Sequence, residues 1–237
     1  MSKLPDMNIY FFTAVDDNPK YRQEAEYLIK SGEKFGRKVH LYDIPKEECW
    51  NRYKVKLLAT ELPKADRYVY LDSDTVFTCK GDWEAPDCQG VMDILYFTPE
   101  TRHKHTVGFI RNHTLLDDDP GAYEYILGLW QKQYCPTWPN SGVVVLDAHL
   151  RLDFAACWGK WMDHIDSHCD KGFVVGDEAP CMFAAAEYGL PWLPPRFNGC
   201  CKWQPIHPWH VLIHADGSVT GKLREPYNKA VENILKK

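Results

Sequence analysis

The sequence predicts a single α/β domain over residues 1–237, a central sheet flanked by helices, and three observations carry that prediction. The chain opens with a β-α-β pattern: an apolar run at 8–15, a helix signal, and a second short apolar run at 38–42. A third run, Arg67-Tyr68-Val69-Tyr70-Leu71, is β-branched and aromatic and too short for a helix, which marks a buried strand. From there apolar runs alternate with stretches of helical periodicity, with neither an internal repeat nor a low-complexity linker between them.

Each element has a local reason. Asn18-Pro19 sets a capping residue before a proline at the first helical position, and Tyr21, Ala25, Leu28 and Ile29 then share one face up to about Gly32. A second helix is expected over 47–62, closed by Pro63, with Leu57, Leu58 and Leu62 as its buried stripe and Lys54 and Lys56 upstream. Residues 83–90 and 101–119 read as loops. Asp119-Pro120 starts a further helix, and Ala122, Tyr125, Ile126, Leu129 and Trp130 keep its rhythm.

A strongly β-branched strand is expected over 140–147. The stripe Phe154, Cys157, Trp158, Trp161, Met162 and Ile165 is helical core rather than a sugar-stacking platform, because six apolar positions at helix spacing must face inward. A helix from Pro180 to about Glu187 should stop in a left-handed cap at Gly189. Residues 192–198 are proline-rich and read as irregular, 211–213 as a last strand ending on His214, and 227–237 as a terminal amphipathic helix.

The bulk numbers exclude several classes. A net charge of -5 and a pI near 6.1 provide no basic face that would track a nucleic-acid backbone. Nine cysteines, with Cys200 and Cys201 adjacent and no Cys-x-x-Cys spacing, suggest neither a disulfide framework nor a thiolate zinc site. The N terminus lacks an apolar signal core and no run approaches a membrane span, so a cytoplasmic location without a transmembrane segment is expected.

Chemistry is expected at the strand ends. Asp72 and Asp74 follow the buried strand one residue apart, and two carboxylates so close ionise together only with help, for which a divalent cation is the usual source. In an open α/β sheet the carboxyl ends of strands gather along one edge, so Asp16 with Asn18, Asp72 with Asp74, and His214 can meet there. Two carboxylates and one imidazole suit Mn²⁺ or Mg²⁺ better than zinc, with waters or a substrate diphosphate completing the shell. The bland alternatives are a solvated Asp-Ser-Asp turn and a structural histidine.

Taken in order and spacing, Thr13-Ala14-Val15-Asp16-Asp17-Asn18, Asp72-Ser73-Asp74, Asn140-Ser141-Gly142, Asp177-Glu178 and His214-Ala215-Asp216-Gly217 resemble glycosyltransferase family 8, a GT-A fold family with a mixed, mostly parallel sheet. The resemblance implies metal-dependent transfer of a hexose from a nucleotide-diphosphate sugar, most often a UDP-sugar, to an acceptor hydroxyl of a glycan, lipid-linked or protein acceptor, with retention. It implies that Thr13, Ala14, Asp16 and Asn18 hold the nucleotide base. Lys56, Asp72, Ser73, Asn140, Gly217 and Lys222 would contact the donor. The metal ligands would be Asp72, Asp74 and His214, and Asp177 and Glu178 would lie beside the reacting carbon. Two departures stand out: the lysine expected soon after His-x-x-Gly comes late, as Lys222, and Glu178 stands where an amide is commoner.

Two other readings compete. Asp72-Ser73-Asp74-Thr75-Val76 also spells the nucleophile motif of haloacid-dehalogenase-like phosphatases, although that strand usually opens the fold, whereas here a β-α-β unit precedes it. The second is a non-catalytic module that binds sugar nucleotides or glycans.

Overall fold

A six-stranded sheet and a three-stranded sheet form the frame of the computed structural model, which describes residues 7–93, 120–133, 139–167, 177–202, 206–215 and 220–236. In chain order the first elements are β1 (Ile9–Val15), α1 (Pro19–Lys34), β2 (Val39–Asp43), α2 (Trp50–Ala59), β3 (Arg67–Leu71), β4 (Thr75–Phe77) and β5 (Gly90–Asp93). They are followed by α3 (Pro120–Gln133), β6 (Pro139–Asp147), α4 (Ala148–Asp166), α5 (Glu178–Tyr188), β7 (Trp192–Leu193), β8 (Gly199–Cys200), β9 (Leu212–His214) and α6 (Glu225–Leu235).

The larger sheet runs β2-β1-β3-β6-β5-β7. β1 is parallel to both β2 and β3, β6 lies antiparallel between β3 and β5, and β7 is parallel to β5, so the sheet is mixed, as the resemblance implied. Both of its faces are covered. Tyr10, Phe12, Tyr68, Tyr70, Val144 and Leu146 pack with the α4 and α5 side chains, whereas Phe11, Val69, Leu71, Val143 and Val145 pack with Leu28, Phe77 and Trp83. Burial on both sides explains why these strands read as continuous apolar runs rather than alternating ones.

Arg67 locks the centre of this sheet. Its position opposite Asp147 in the β3–β6 register lets Nε donate to Asp147 Oδ1 at 2.7 Å, while Nη1 donates to the carbonyls of Trp83 and Ala85 at 2.6 and 2.9 Å. A buried guanidinium is tolerated only with such a set of acceptors.

The smaller sheet, β4-β9-β8, is what brings His214 in. Thr75 pairs with His214 across the antiparallel β4–β9 ladder, and the amide of Ala215 donates to the Asp74 carbonyl at 2.9 Å. The sequence places His214 correctly at a strand end; the strand belongs to a second sheet rather than to the edge of the first.

The helix signals hold, with shifts at their ends. Asn18 accepts from the Lys20 amide at 3.0 Å as the α1 cap, with Pro19 at the first helical position. α2 starts at Trp50, three residues later than expected, after Cys49, whose side chain makes no cap bond. α5 ends at Gly189 with φ of 60°, the left-handed cap expected there, but begins two residues before Pro180, which fits because a first-turn residue has no intrahelical bond to lose. The segment 192–198 is less irregular than it reads: it holds β7 and a 3₁₀ turn at Pro195–Phe197, both too short for a periodicity to register. Among the described residues no helix is long and apolar enough to cross a membrane, and the seven cysteines there are free thiols. The expected loop at 101–119 lies outside the described residues.

Candidate active site

The site begins where β3 stops. After Leu71 the chain turns tightly, with the Thr75 amide and hydroxyl both donating to the Asp72 carbonyl at 3.2 and 2.8 Å. The turn holds Asp72 and Asp74 inward, and β9 presents His214 to both. The three side chains are buried, and one ligand atom from each lies within 4.8 Å of the others. His214 Nε2 is 3.2 Å from Asp74 Oδ1 and 3.8 Å from Asp72 Oδ2.

Close packing around the ring requires Gly142. A Cβ built on it would lie 2.3 Å from His214 Cε1 and 2.8 Å from both Asp72 Oδ2 and His214 Nδ1. We therefore expect Gly142→Ala to displace the imidazole, lowering stability by about 1–3 kcal/mol as overpacked cores do. Urea unfolding measures the stability loss, and a Mn²⁺ titration should register weaker binding in the same variant.

A second cluster abuts the first. Lys54, on α2, is fully buried, and its Nζ donates to Asp177 Oδ2 at 2.8 Å, to the Ser141 carbonyl at 3.2 Å and to Ser141 Oγ at 3.3 Å, with Asp72 Oδ1 3.2 Å away. Ser141 Oγ donates to the same Asp177 oxygen at 2.6 Å, and Trp158 Nε1 donates to the Asp177 carbonyl at 3.0 Å. The rings of Trp50 and Tyr70 flank the ammonium at 4.5 and 5.0 Å. Burial opposes the charge on Lys54, but Asp177 and Asp72 outweigh it and raise its pKa above the ordinary value. Burial raises Asp72 despite Lys54 and His214, whereas in Asp74 the opposing pull of His214 outweighs burial and holds the carboxyl below the usual range.

Lys56 stands apart from this cluster. It lies two residues, or about 200°, round the helix from Lys54. It is exposed and paired with Glu48, beside a cleft between α2 and α4 that Arg52, Lys160 and Asp163 also line. Lys54 falls three and four residues before Leu57 and Leu58, inside the buried stripe, and that spacing was the available signal.

The remaining residues divide. Thr13 and Ala14 are core positions of β1, and Thr13 Oγ1 is buried with no hydrogen-bond partner among the described residues. Asp16 is half-buried and accepts from the Asn18 amide at 3.0 Å, and the Asn18 side-chain oxygen is engaged in capping α1. Burial and then the charges of Asp74, Glu24 and Asp16 raise the Tyr21 hydroxyl. Ser73 is buried between the two acids. Asn140 donates from Nδ2 towards Glu178 Oε1 at 3.5 Å, which joins the half-buried Glu178 to the cluster. Lys222 is exposed on a 3₁₀ turn, Gly221–Arg224, and Gly217 lies outside the described residues. Arg224, which the sequence reading did not single out, is paired with Glu24, and its charge helps hold Asp74 ionised.

A solved structure described as a glycosyltransferase involved in the glycosylation of the major capsid of PBCV-1 matches 96% of this chain and 98% of its own, with a TM-score of 0.51 at 13% identity. The two chains share a fold. No protein-family model matches the chain, and no curated protein matches its sequence. Within that shared fold, two buried carboxylates and an imidazole converging on one point form a donor set that fits an octahedral Mn²⁺ or Mg²⁺ with positions left over for other oxygens.

Proposed function

We propose that the chain is a metal-dependent glycosyltransferase that moves a hexose from a nucleotide-diphosphate sugar, a UDP-sugar, to an acceptor hydroxyl with retention. The observation that carries this reading is the convergence of Asp72, Asp74 and His214 beside the buried Lys54–Asp177 pair in a chain sharing a glycosyltransferase fold. Asp72, Asp74 and His214 would hold the cation, which supplies positive charge to a leaving diphosphate. The chain's own contribution is preorganisation. Lys54 holds Asp177 and Asp72 at fixed separation, a role different from the donor contact that the resemblance gave to Lys56.

In this reading Asp177 and Glu178, at the start of α5, flank the reacting sugar, and Asn140 and Ser73 border the same space. The loop Thr13, Ala14, Asp16 and Asn18 meets the base; because Thr13 and Ala14 are sealed in the core, Asp16 and backbone groups are the reachable contacts. Gly217, Lys222 and Arg224 belong to the segment after β9 and would meet the phosphates, with Arg224 nearest in charge to Asp74. A glycan, a lipid-linked sugar or a protein would supply the acceptor hydroxyl. The phosphatase reading has less support, since β3 is the third strand of the chain and the shared fold is a glycosyltransferase's.

A thermal-shift series with Mn²⁺, UDP and both together tests the proposal. At about a hundred times the dissociation constant a native-state ligand adds about 2.7 kcal/mol, and for a chain of this length that is a rise of about 5–10 °C. The shift should be largest with both present, and metal-dependent release of UDP from one of a panel of UDP-hexoses should follow. Absence of any shift across the nucleoside diphosphates would overturn the reading.

A further inference from the structure

We infer that Asn140 is a positioning residue that fixes the tautomer of His214, keeping a proton on Nδ1 so that the Nε2 lone pair is available to a divalent cation. The inference rests on the proposed cation site and goes past it, since the resemblance gives Asn140 to the donor sugar.

Asn140 lies in β6 with 4% exposure, and its Oδ1 collects three neighbours. The Gly142 amide donates to it at 3.2 Å and Asn198 Nδ2 at 2.7 Å. A backbone N–H is a donor in every circumstance, so the Gly142 contact alone fixes the atom facing it as oxygen rather than nitrogen. The third neighbour is His214 Nδ1 at 3.2 Å. An amide oxygen carries no proton, so this contact forms a hydrogen bond only when Nδ1 is protonated. With Nδ1 protonated, a ring that gives up its other proton to a cation presents its lone pair at Nε2, the nitrogen turned towards Asp74 and Asp72.

The opposite tautomer would set two lone pairs against each other at the Asn140 contact and turn an N–H towards the place where the ligand atoms converge. Gly142 assists by leaving the imidazole only the slot that its missing Cβ allows. The Asn140 oxygen is saturated by these three contacts, so only its Nδ2, already directed at Glu178, remains for a substrate hydroxyl. Ligating histidines are commonly oriented through their second nitrogen in this way, and the partner there is usually a carboxylate or a backbone carbonyl.

The experiment uses Mg²⁺ as a diamagnetic probe and Mn²⁺ for affinity. Two-bond ¹⁵N–¹H spectra of the Mg²⁺-saturated full chain should show His214 protonated at Nδ1 and bare at Nε2. A ring protonated at Nε2 overturns the inference with no variant required. Mn²⁺ affinity, followed by the electron paramagnetic resonance of the free ion, should fall about 10–100-fold in Asn140→Ala, the usual cost of an outer partner. Asn140→Asp, which keeps an acceptor oxygen in place, should bind Mn²⁺ no more weakly than the wild type. If both variants lose affinity alike, or if Asn140→Ala stays within about threefold of the wild type, Asn140 has a structural role only. Neither readout involves a nucleotide sugar: normal Mn²⁺ behaviour in a chain that turns over no UDP-sugar would remove the transferase reading and leave this inference standing.

Discussion

Lys54→Met should lose about 3–5 kcal/mol of stability, the range for removing one partner of a buried ion pair, together with any turnover. The side chain is matched in length and apolar, so the variant isolates the charge. Without it Asp177 and Asp72 share a buried space with no cation; Asp177 keeps the Ser141 hydroxyl and Asp72 keeps His214. The sign with pH follows from the raised ammonium pKa. The stabilisation is fully present below the ordinary lysine value of 10.5 and is lost only as pH climbs through the raised one, so the deficit of the variant should be flat across neutral pH.

Urea unfolding of Lys54→Met against the wild type measures this. Adding Asp177→Asn to the variant should recover part of the loss, because one of the two uncompensated carboxylates is removed, yet should recover no turnover. A Lys54→Met protein within about 1 kcal/mol of the wild type would mean that water or a proton neutralises the acids instead.

Asp74→Asn should leave the chain folded and weaken Mn²⁺ binding by more than about 100-fold, beyond what loss of an outer-shell partner costs. The amide keeps the size of the carboxylate but has one weak neutral acceptor where the carboxylate offered a charge. The His214 imidazole 3.2 Å away loses the carboxylate that faces its Nε2 in the same step. Since His214 and the more distant Arg224 together hold Asp74 below the usual carboxyl range, its ionised form stabilises the native state above the ordinary carboxyl pKa, and that contribution disappears as pH falls through the lowered value. The variant should therefore be modestly less stable than the wild type near neutrality and converge with it in acid. Turnover of a UDP-sugar, read as UDP release, should drop about a thousandfold or more; a variant retaining a tenth of wild-type turnover would show that Asp74 is not a ligand.

How much of this was legible in the sequence depends on whether the signal was local. The β-α-β opening, the Asn18 cap and the Gly189 stop are local and were read correctly. Leu57 and Leu58 of α2 are buried as read, with Leu62 past the end of the helix, but the donor-contacting lysine was taken from the resemblance as Lys56, whereas Lys54 is the one that shares the face of Leu57 and Leu58. A lysine inside an apolar stripe is the stronger signal, since burial of an ammonium demands partners. His214 was found because it ends an apolar strand, yet nothing local could say that β9 pairs with β4. Asn198 was passed over inside a proline-rich stretch, because its meaning lies in Asn140, on a strand far away in the chain.

The pairing of β4 with β9 has a consequence for how the chain matures. Asp72 and Asp74 are made before His214 and lie about 140 positions from it, so a long intervening segment must emerge before the carboxylate pair meets its imidazole. Joining segments so far apart carries a loop-closure cost that is met only when the intervening sheet has assembled. The cation site should therefore be absent from any nascent or truncated chain that stops short of β9, and an ion bound there would act as a clasp between two segments far apart in the chain.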